Sequence, residues 1–123
     1  MLPLPRAVKI YVATQPVRLN RSFDGLSAVV RKVLERDPLS GHVFVFINRR
    51  RTMVKLLLWT RGGFTIIHKR LERGTFARIF DEGETRSHIE IDVHELSMLL
   101  EGIELQTGRV SARWEPRRHA RAA

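Results

Sequence analysis

Apolar residues recur every three or four positions between Ser22 and Arg36, the spacing that places them on one face of a helix. They are Phe23, Leu26, Val29, Val30, Val33 and Leu34. Ser22 or Asp24 can cap the start of this helix, and Pro38 ends it by about Arg36 or Asp37. The pattern therefore predicts a helix over residues 22–36.

Strand-like segments lie on both sides of this helix. Residues 9–13 ("KIYVA") precede it, and residues 42–48, 53–60 and 64–70 follow the turn "DPLSG" and are rich in β-branched and aromatic side chains. "RRR" and "RGG" separate the last three segments, and the glycines can adopt the positive φ that a hairpin turn needs. These three segments predict an antiparallel meander with both faces covered, one of them by the helix.

The C-terminal third is less regular. Residues 75–80 ("TFARIF") fit either a fourth strand or a short helical turn, and "DEGETRSH" is a polar loop. "IEI" then leads into a second helix, which Asp92 can cap and Gly102 can end. Residues 106–123 have little apolar content and predict a basic, disordered tail. The whole pattern predicts one compact α+β domain over residues 1–105: a small antiparallel meander of three to five strands covered by a helix, plus a C-terminal helix.

Composition narrows the class of protein. A chain of 123 residues that is 43% hydrophobic can bury one modest core. The absence of cysteine excludes a disulfide framework, a thiolate zinc site and a cysteine nucleophile, and it fits a reducing compartment. No apolar run approaches the roughly 18 residues of a membrane span, and the N-terminus lacks a secretory signal pattern. We therefore expect a cytoplasmic protein with no membrane contact.

The net charge of +9 is distributed unevenly. Residues 1–80 carry 16 basic and 4 acidic side chains, residues 81–108 carry 1 and 8, and residues 109–123 carry 5 and 1. A basic body beside an acidic segment suggests a surface for a polyanion and a separate region that such a partner would repel. An excess of basic side chains can also increase solubility without binding any partner.

No pattern in the sequence indicates catalysis, a metal site or a cofactor. The five histidines, at positions 42, 68, 88, 94 and 119, have no metal-ligand spacing. The carboxylates most able to form a site lie in or beside the polar loop: Asp81, Glu82, Glu84, Glu90 and Asp92. Phosphate-binding, dinucleotide-binding and nucleophile-elbow motifs are also absent. The sequence thus favours a protein that is not an enzyme.

The cations on the turns and flanks of the predicted sheet are the candidate nucleic-acid contacts. They are Arg49, Arg50, Arg51, Lys55, Arg61, Lys69, Arg70 and Arg73. Contacts of this type to phosphate give affinity and salt dependence without sequence specificity. Trp59 and Phe64 flank the "RGG" turn and can either stack on bases or pack on the protein. Because arginine also pairs with carboxylates, the same surface could bind an acidic protein, and the segment 81–104 would be free for protein contacts.

Several stretches in order, "RSFDGLSAVV", "RDPLSGHVFVFINRRR", "GFTIIHKRLERGTF" and "ELSMLLEGIEL", resemble the small TnpB accessory protein of the IS-sixty-six insertion-sequence family. The resemblance covers about residues 2–105 and concerns a protein distinct from the RNA-guided nucleases that share the TnpB label. It implies a non-catalytic partner of a separately encoded DDE-type transposase. On this basis we expect an accessory protein of transposition that binds element DNA, the transposase or both. The alternative is an adaptor in the transposition complex that makes no direct contact with DNA.

Overall fold

The structure, a computed structural model, describes residues 8–18 and 20–101. The elements in this part of the chain are β1 (Ile10–Ala13), α1 (Phe23–Lys32), β2 (Val43–Ile47), β3 (Met53–Thr60), β4 (Gly63–Arg70), β5 (His88–Ile91) and α2 (Val93–Glu101). The predicted α+β class is confirmed, and β2, β3 and β4 form the predicted meander. The domain boundary at residue 105 and the predicted tail lie outside the described residues.

The five strands form one mixed sheet in the order β4-β3-β2-β1-β5. β1 pairs with β2 in parallel, because α1 returns the chain to the end of the sheet where β1 began, and the other neighbours are antiparallel. The turn between β2 and β3, the segment after β1 and the start of β5 therefore share one end of the sheet. We refer to it as the arginine end, and to the end with the β3–β4 turn as the opposite end.

Both faces of the sheet are buried, as the sequence predicts. All five residues of β2 are buried, alternating between two apolar clusters. One cluster lies under α1 and includes Phe44, Phe46 and Leu57, together with Leu26 and Val30 of the helix. The other includes Val45 and Val54 and is covered by α2 and the segment 71–80. Alternate residues of each strand thus contribute to different cores.

α1 is shorter than the sequence predicts. It ends at Lys32, with Val33 as its C-cap, and not near Arg36. Glu35 has a φ of 53°, and the Arg36 N–H donates to the Val30 carbonyl over 3.0 Å. The left-handed residue and this bond, which spans six residues, turn the chain back over the end of the helix and stop it before Pro38 is reached. Ser22 occupies the N-cap position, but its side chain makes no capping bond.

α2 begins at the cap predicted for it. The Glu95 N–H donates to Asp92 Oδ1 over 2.7 Å, and the Asp92 N–H donates to Glu95 Oε1 over 3.0 Å. This reciprocal pair is a capping box. Gly102, predicted to end the helix, lies outside the described residues. Near the C-terminal end of α2, Lys69 Nζ donates to the Leu100 carbonyl over 2.7 Å.

Residues 75–80 are neither a strand nor a helical turn. They run irregularly across the α2 side of the sheet, where Phe76 is fully buried and Ile79 and Phe80 are half-buried. The Phe76 N–H donates to the Arg51 carbonyl over 2.6 Å, which ties this segment to the β2–β3 turn. Both sequence alternatives are wrong because burial of apolar side chains, chiefly that of Phe76, and not a repeating backbone pattern, holds the segment.

Candidate nucleic-acid interface

Asn48 organises the β2–β3 turn that carries three arginines. Its Oδ1 accepts hydrogen bonds from the N–H groups of Thr52 (2.9 Å) and Met53 (3.0 Å), and its Nδ2 donates to Thr52 Oγ1 over 3.0 Å. These bonds close the turn around residues 49–51 and fix the backbone positions of its three arginines. The sequence analysis missed Asn48, although asparagine beside a turn is a recognised signal for side-chain bonds to nearby backbone.

Arg78 and Arg86 are exposed beside the acidic loop at the arginine end, and six further exposed arginines from three parts of the chain gather around the β2–β3 turn at this end. The six are Arg18, Arg21, Arg49, Arg50, Arg70 and Arg73. The Val17 N–H donates to the Ile47 carbonyl over 3.3 Å, which brings the segment after β1 to the turn. The Leu71 N–H donates to the Thr52 carbonyl over 2.8 Å and brings the segment after β4 to the same place. Arg18 and Arg21 were missed because they lie before α1 and only the tertiary fold places them here.

A cleft of about 540 Å³ lies between the turn and the segment after β1. Arg18, Arg49 and Arg50 line it together with the amide side chains of Asn20 and Asn48. Guanidinium and amide N–H groups are the donors that phosphate oxygens accept. The chemistry of this cleft therefore suits an anion.

Lys55 and Lys69, two of the predicted contacts, are engaged within the protein. Lys55 Nζ donates to the Arg21 carbonyl over 2.8 Å on the α1 face, whereas Lys69 reaches the end of α2 on the other face. Arg70 forms an ion pair with Glu72 at 3.1 Å, with both side chains well exposed. The structure thus places Arg49, Arg50, Arg70 and Arg73 together and directs both lysines to backbone carbonyls.

Arg61 lies at the opposite end of the sheet. It occupies the β3–β4 turn, and β3 spans eight residues, so about 26 Å of strand separates it from the β2–β3 turn. Trp59 and Phe64 lie beside it and contact each other edge to face, with ring centroids 4.9 Å apart. Their contact favours packing on the protein over stacking on bases.

Replacing Arg61 by asparagine is expected to stabilise the protein. Arg61 and Gly62 have φ values of 45° and 81°, the positive pair of a type I′ turn, in which Asn-Gly is strongly preferred. Relieving the left-handed strain of arginine should raise the free energy of unfolding by about 1 kcal/mol, measured by urea denaturation. Arg73→Asn makes the same change of charge at a residue without positive φ and should leave the midpoint nearly unchanged. A lower midpoint for Arg61→Asn would contradict the turn geometry.

The first part of the acidic segment also lies at the arginine end. A second cleft, of about 370 Å³, is lined by Arg49 and Arg51 and by Asp81, Glu82 and Glu84. The charge pattern suggested that the acidic segment lies apart from the cations. The structure instead places the first part of that segment beside them. The cause is topological: β5 is antiparallel to β1, so the loop that enters it arrives at this end.

Two of the three acidic residues of this cleft, Glu82 and Glu84, have cationic partners of their own. Glu84 accepts two hydrogen bonds from the Arg86 guanidinium, at 2.7 and 2.9 Å, which together with a backbone bond from Arg86 lower the pKa of Glu84 to about 2. Glu82 lies 4.0 Å from Arg78. Arg51, which is half-buried with a φ of 56°, is the turn arginine that faces only this cleft, whereas Arg49 and Arg50 are exposed.

A cluster that the sequence analysis missed surrounds Tyr11 on the α1 face. Arg36 lies 4.5 Å from the centre of the buried ring, and the rings of His42 and His88 contact it edge-on at 5.7 and 5.1 Å. Arg36 Nε donates to His88 Nε2 over 3.4 Å, and Ser87 Oγ lies 2.7 Å from His88 Nδ1. Because Nε2 accepts a bond from a permanent cation, the histidine is neutral in this arrangement, with its proton on Nδ1.

Stability should fall as the pH drops below about 6.5, the ordinary pKa of histidine. Burial, and then the charge of Arg36, lower the pKa of His88 in the folded protein. The unfolded chain therefore takes up this proton first, and the loss continues until the pH reaches the lowered folded pKa. Urea midpoints at pH 7.5 and 5.5 measure the effect. His88→Asn should reduce the difference, whereas His94→Asn, at an exposed position, should retain it; equal differences in all three proteins would contradict this assignment.

Two classes of site are not found among the described residues. Within residues 8–18 and 20–101, no three His, Asp or Glu side chains come together as a possible metal site. No helix in the same part of the chain has the length and apolar character needed to cross a bilayer.

The fold and the surface define a small α+β protein with exposed arginines concentrated at one end of a mixed sheet. The chain belongs to the TnpB family described as IS66 Orf2-like proteins, whose family model matches residues 8–110. Membership in this family implies an accessory role related to transposition.

Two proteins from Sinorhizobium fredii are similar to this chain over most of their length. The protein named y4hO is 36% identical over 105 residues, which cover 85% of this chain and 88% of the relative. The protein named y4jC is 34% identical over 104 residues, which cover 85% of this chain and 86% of the relative. Both relatives are named as uncharacterized proteins. No solved structure is significantly similar to this chain.

Proposed function

We propose that this protein is a non-catalytic accessory factor of transposition that binds the DNA of its insertion sequence through the arginine end. The observation that carries the proposal is the convergence of six exposed arginines around the β2–β3 turn, of which only Arg70 forms an ion pair within the described part of the chain, whereas Arg78 and Arg86 at the same end are paired with Glu82 and Glu84. Arginines without a protein carboxylate remain available for phosphate, which they can bind with two parallel hydrogen bonds.

The geometry of this end also suits a nucleic-acid backbone. The β2–β3 turn is short and closed by Asn48, so it holds Arg49 and Arg50 in fixed positions at the end of the sheet. Arg18 and Arg21 on one side, and Arg70 and Arg73 on the other, flank this turn and would meet neighbouring phosphates.

The alternative function is an adaptor that binds the transposase without touching DNA. It is supported by the carboxylates at the same end, since Asp81, Glu82 and Glu84 line a cleft with Arg49 and Arg51. A surface of mixed charge can recognise a complementary protein surface, whereas its three carboxylates would repel the phosphates of a duplex. The two functions differ in which ligand the isolated protein binds.

Fluorescence anisotropy of the full chain with labelled DNA separates them. The probes are a duplex from the end of the element and a scrambled duplex of equal length, titrated from about 50 to 400 mM salt. Binding through five or six phosphate contacts gives a slope of log K against log salt of about −5. Preference for the element end would add sequence recognition. No binding to either duplex at about 50 mM salt would overturn the proposal, and co-purification with the transposase would then support the adaptor.

A further inference from the structure

The outer edge of β4 has no strand partner in the described part of the chain. β4 ends the sheet on one side, and it pairs with β3 over eight consecutive residues without a bulge. The other edge strand, β5, has four residues and leads directly into α2. Natural proteins protect long edges with proline, bulges, inward charges or a covering element, because an open edge invites pairing with another chain. β4 has no proline, and its cations are confined to one end, at Lys69 and Arg70.

The middle of this edge is apolar and exposed. Ile67, at the centre of this regular strand, is 52% exposed. Ile66, its neighbour, packs against the α1 core on the other face. The edge therefore combines an unpaired backbone with an apolar side chain that a partner strand would cover.

The hairpin fixes which backbone groups point outward. In a two-residue hairpin, the residues that flank the loop, here Thr60 and Gly63, form a hydrogen-bonded pair. Odd-numbered residues of β4 thus bond to β3. Phe64, Ile66, His68 and Arg70 direct their N–H and C=O groups away from the sheet.

We propose that β4 pairs antiparallel with β4 of a second copy of this chain, with Ile67 on the two-fold axis. In this register Ile66 lies opposite His68 of the second copy, and Phe64 lies opposite Arg70. These even-numbered pairs are hydrogen-bonded and supply roughly eight backbone bonds. Ile67 faces its own copy in a non-hydrogen-bonded pair, where the Cα atoms are about 4.5 Å apart and the side chains are closest.

The charges of β4 favour a second copy as the occupant. Lys69 lies opposite Thr65 of the second copy, and Arg70 lies opposite Phe64, so no like charges face each other. A strand of another protein would need neutral residues at these same places, which β4 itself supplies. The antiparallel arrangement also places the two arginine ends at opposite ends of the joined sheet. They are then well beyond the Debye length of about 8 to 10 Å, so their repulsion is screened.

The pairing extends the role of the protein. The dimer has one continuous ten-stranded sheet, and its two arginine ends lie at opposite ends of that sheet. Resting on the proposed function, this dimer could hold two separate DNA segments at once. Dimerisation itself is independent of DNA and is tested without it.

Single cysteines provide a direct test, because the chain contains none. Ile67→Cys places two thiols across the axis at a Cα separation that a disulfide accepts, so mild oxidation should give a covalent dimer. Thr65→Cys is the matched control, exposed on the same face of the same strand. In the proposed register the two Thr65 positions are offset by about 13 Å along the strands, too far for a disulfide. The expected result is a cross-link at position 67 with little at position 65.

Sedimentation of the cysteine-free protein completes the test. The wild type should sediment as a dimer, and Ile67→Glu should sediment as a monomer with an unchanged circular dichroism spectrum, since the side chain is exposed. A wild type that is monomeric up to about 100 µM would overturn the proposal. A dimer that survives Ile67→Glu, or that cross-links through position 65 as readily as through 67, would also overturn it, because the interface would then lie elsewhere or in another register. DNA binding by a monomer would leave the proposed function standing.

Discussion

Replacing Arg49 and Arg50 together by alanine is expected to weaken DNA binding by roughly 50-fold at about 0.1 M salt. Each phosphate contact contributes about 0.9 to the slope of log K against log salt, so losing two contacts lowers the slope by about 1.8. Both side chains are exposed at the tip of the β2–β3 turn, and neither forms an ion pair with any described residue. The fold should be unaffected, because Asn48 closes the turn through bonds that involve neither arginine.

A matched control is available on α1. Arg31→Ala with Lys32→Ala removes the same charge from two exposed residues in the last turn of the helix, near the opposite end of the sheet. This pair should change affinity only slightly, because exposed charges far from the interface are screened. Anisotropy titrations at several salt concentrations measure both variants. Equal losses in the two proteins would show that net charge, and not the arginine end, attracts the DNA.

Arg51 should matter less than its neighbours. It is half-buried, and it faces the cleft lined by Asp81, Glu82 and Glu84, where a phosphate would be repelled. The three consecutive arginines are equivalent in the sequence. Their inequivalence arises from the fold, which exposes Arg49 and Arg50 at the turn and leaves Arg51 half-buried, with its carbonyl bonded to the Phe76 N–H.

Local signals were sufficient for much of the fold. Apolar spacing identified α1, and β-branched segments parted by "RRR" and "RGG" identified the meander. The Asp92 cap of α2 was also predicted, because its partners are three residues apart. The end of α1 was predicted incorrectly. The helix stops early at a left-handed Glu35, a backbone conformation that is uncommon for glutamate.

The composition of the arginine end could not be predicted in the same way. It depends on the parallel pairing of β1 with β2, which brings Arg18 and Arg21 to the turn, and on the antiparallel pairing of β5, which brings the acidic loop. Arg61 is close to the turn in sequence yet lies a full strand away. Strand order is a property of the whole sheet, and no short segment encodes it.

Phe76→Ala is expected to lower the free energy of unfolding by about 3 to 5 kcal/mol, the usual cost of removing a fully buried phenylalanine. Phe76 has no exposed surface and lies in the cluster with Val54 and Leu99, where it attaches the irregular segment 71–80 to the sheet. A small domain has a total stability of roughly 5 to 15 kcal/mol, so a large part would be lost. Urea denaturation with circular dichroism measures the change.

Two further variants identify the origin of that loss. Phe23→Ala removes the same side chain from a position that is 43% exposed, and it should cost only about 1 kcal/mol. Phe76→Leu keeps most of the apolar volume and should recover more than half of the lost stability. Because the segment 71–80 has no regular hydrogen-bonding pattern, its position depends chiefly on this ring and on the bond from the Phe76 N–H to Arg51. If Phe76→Ala lowers the free energy of unfolding by less than about 1 kcal/mol, the ring is not part of the core. Other side chains would then have to cover the α2 side of the sheet.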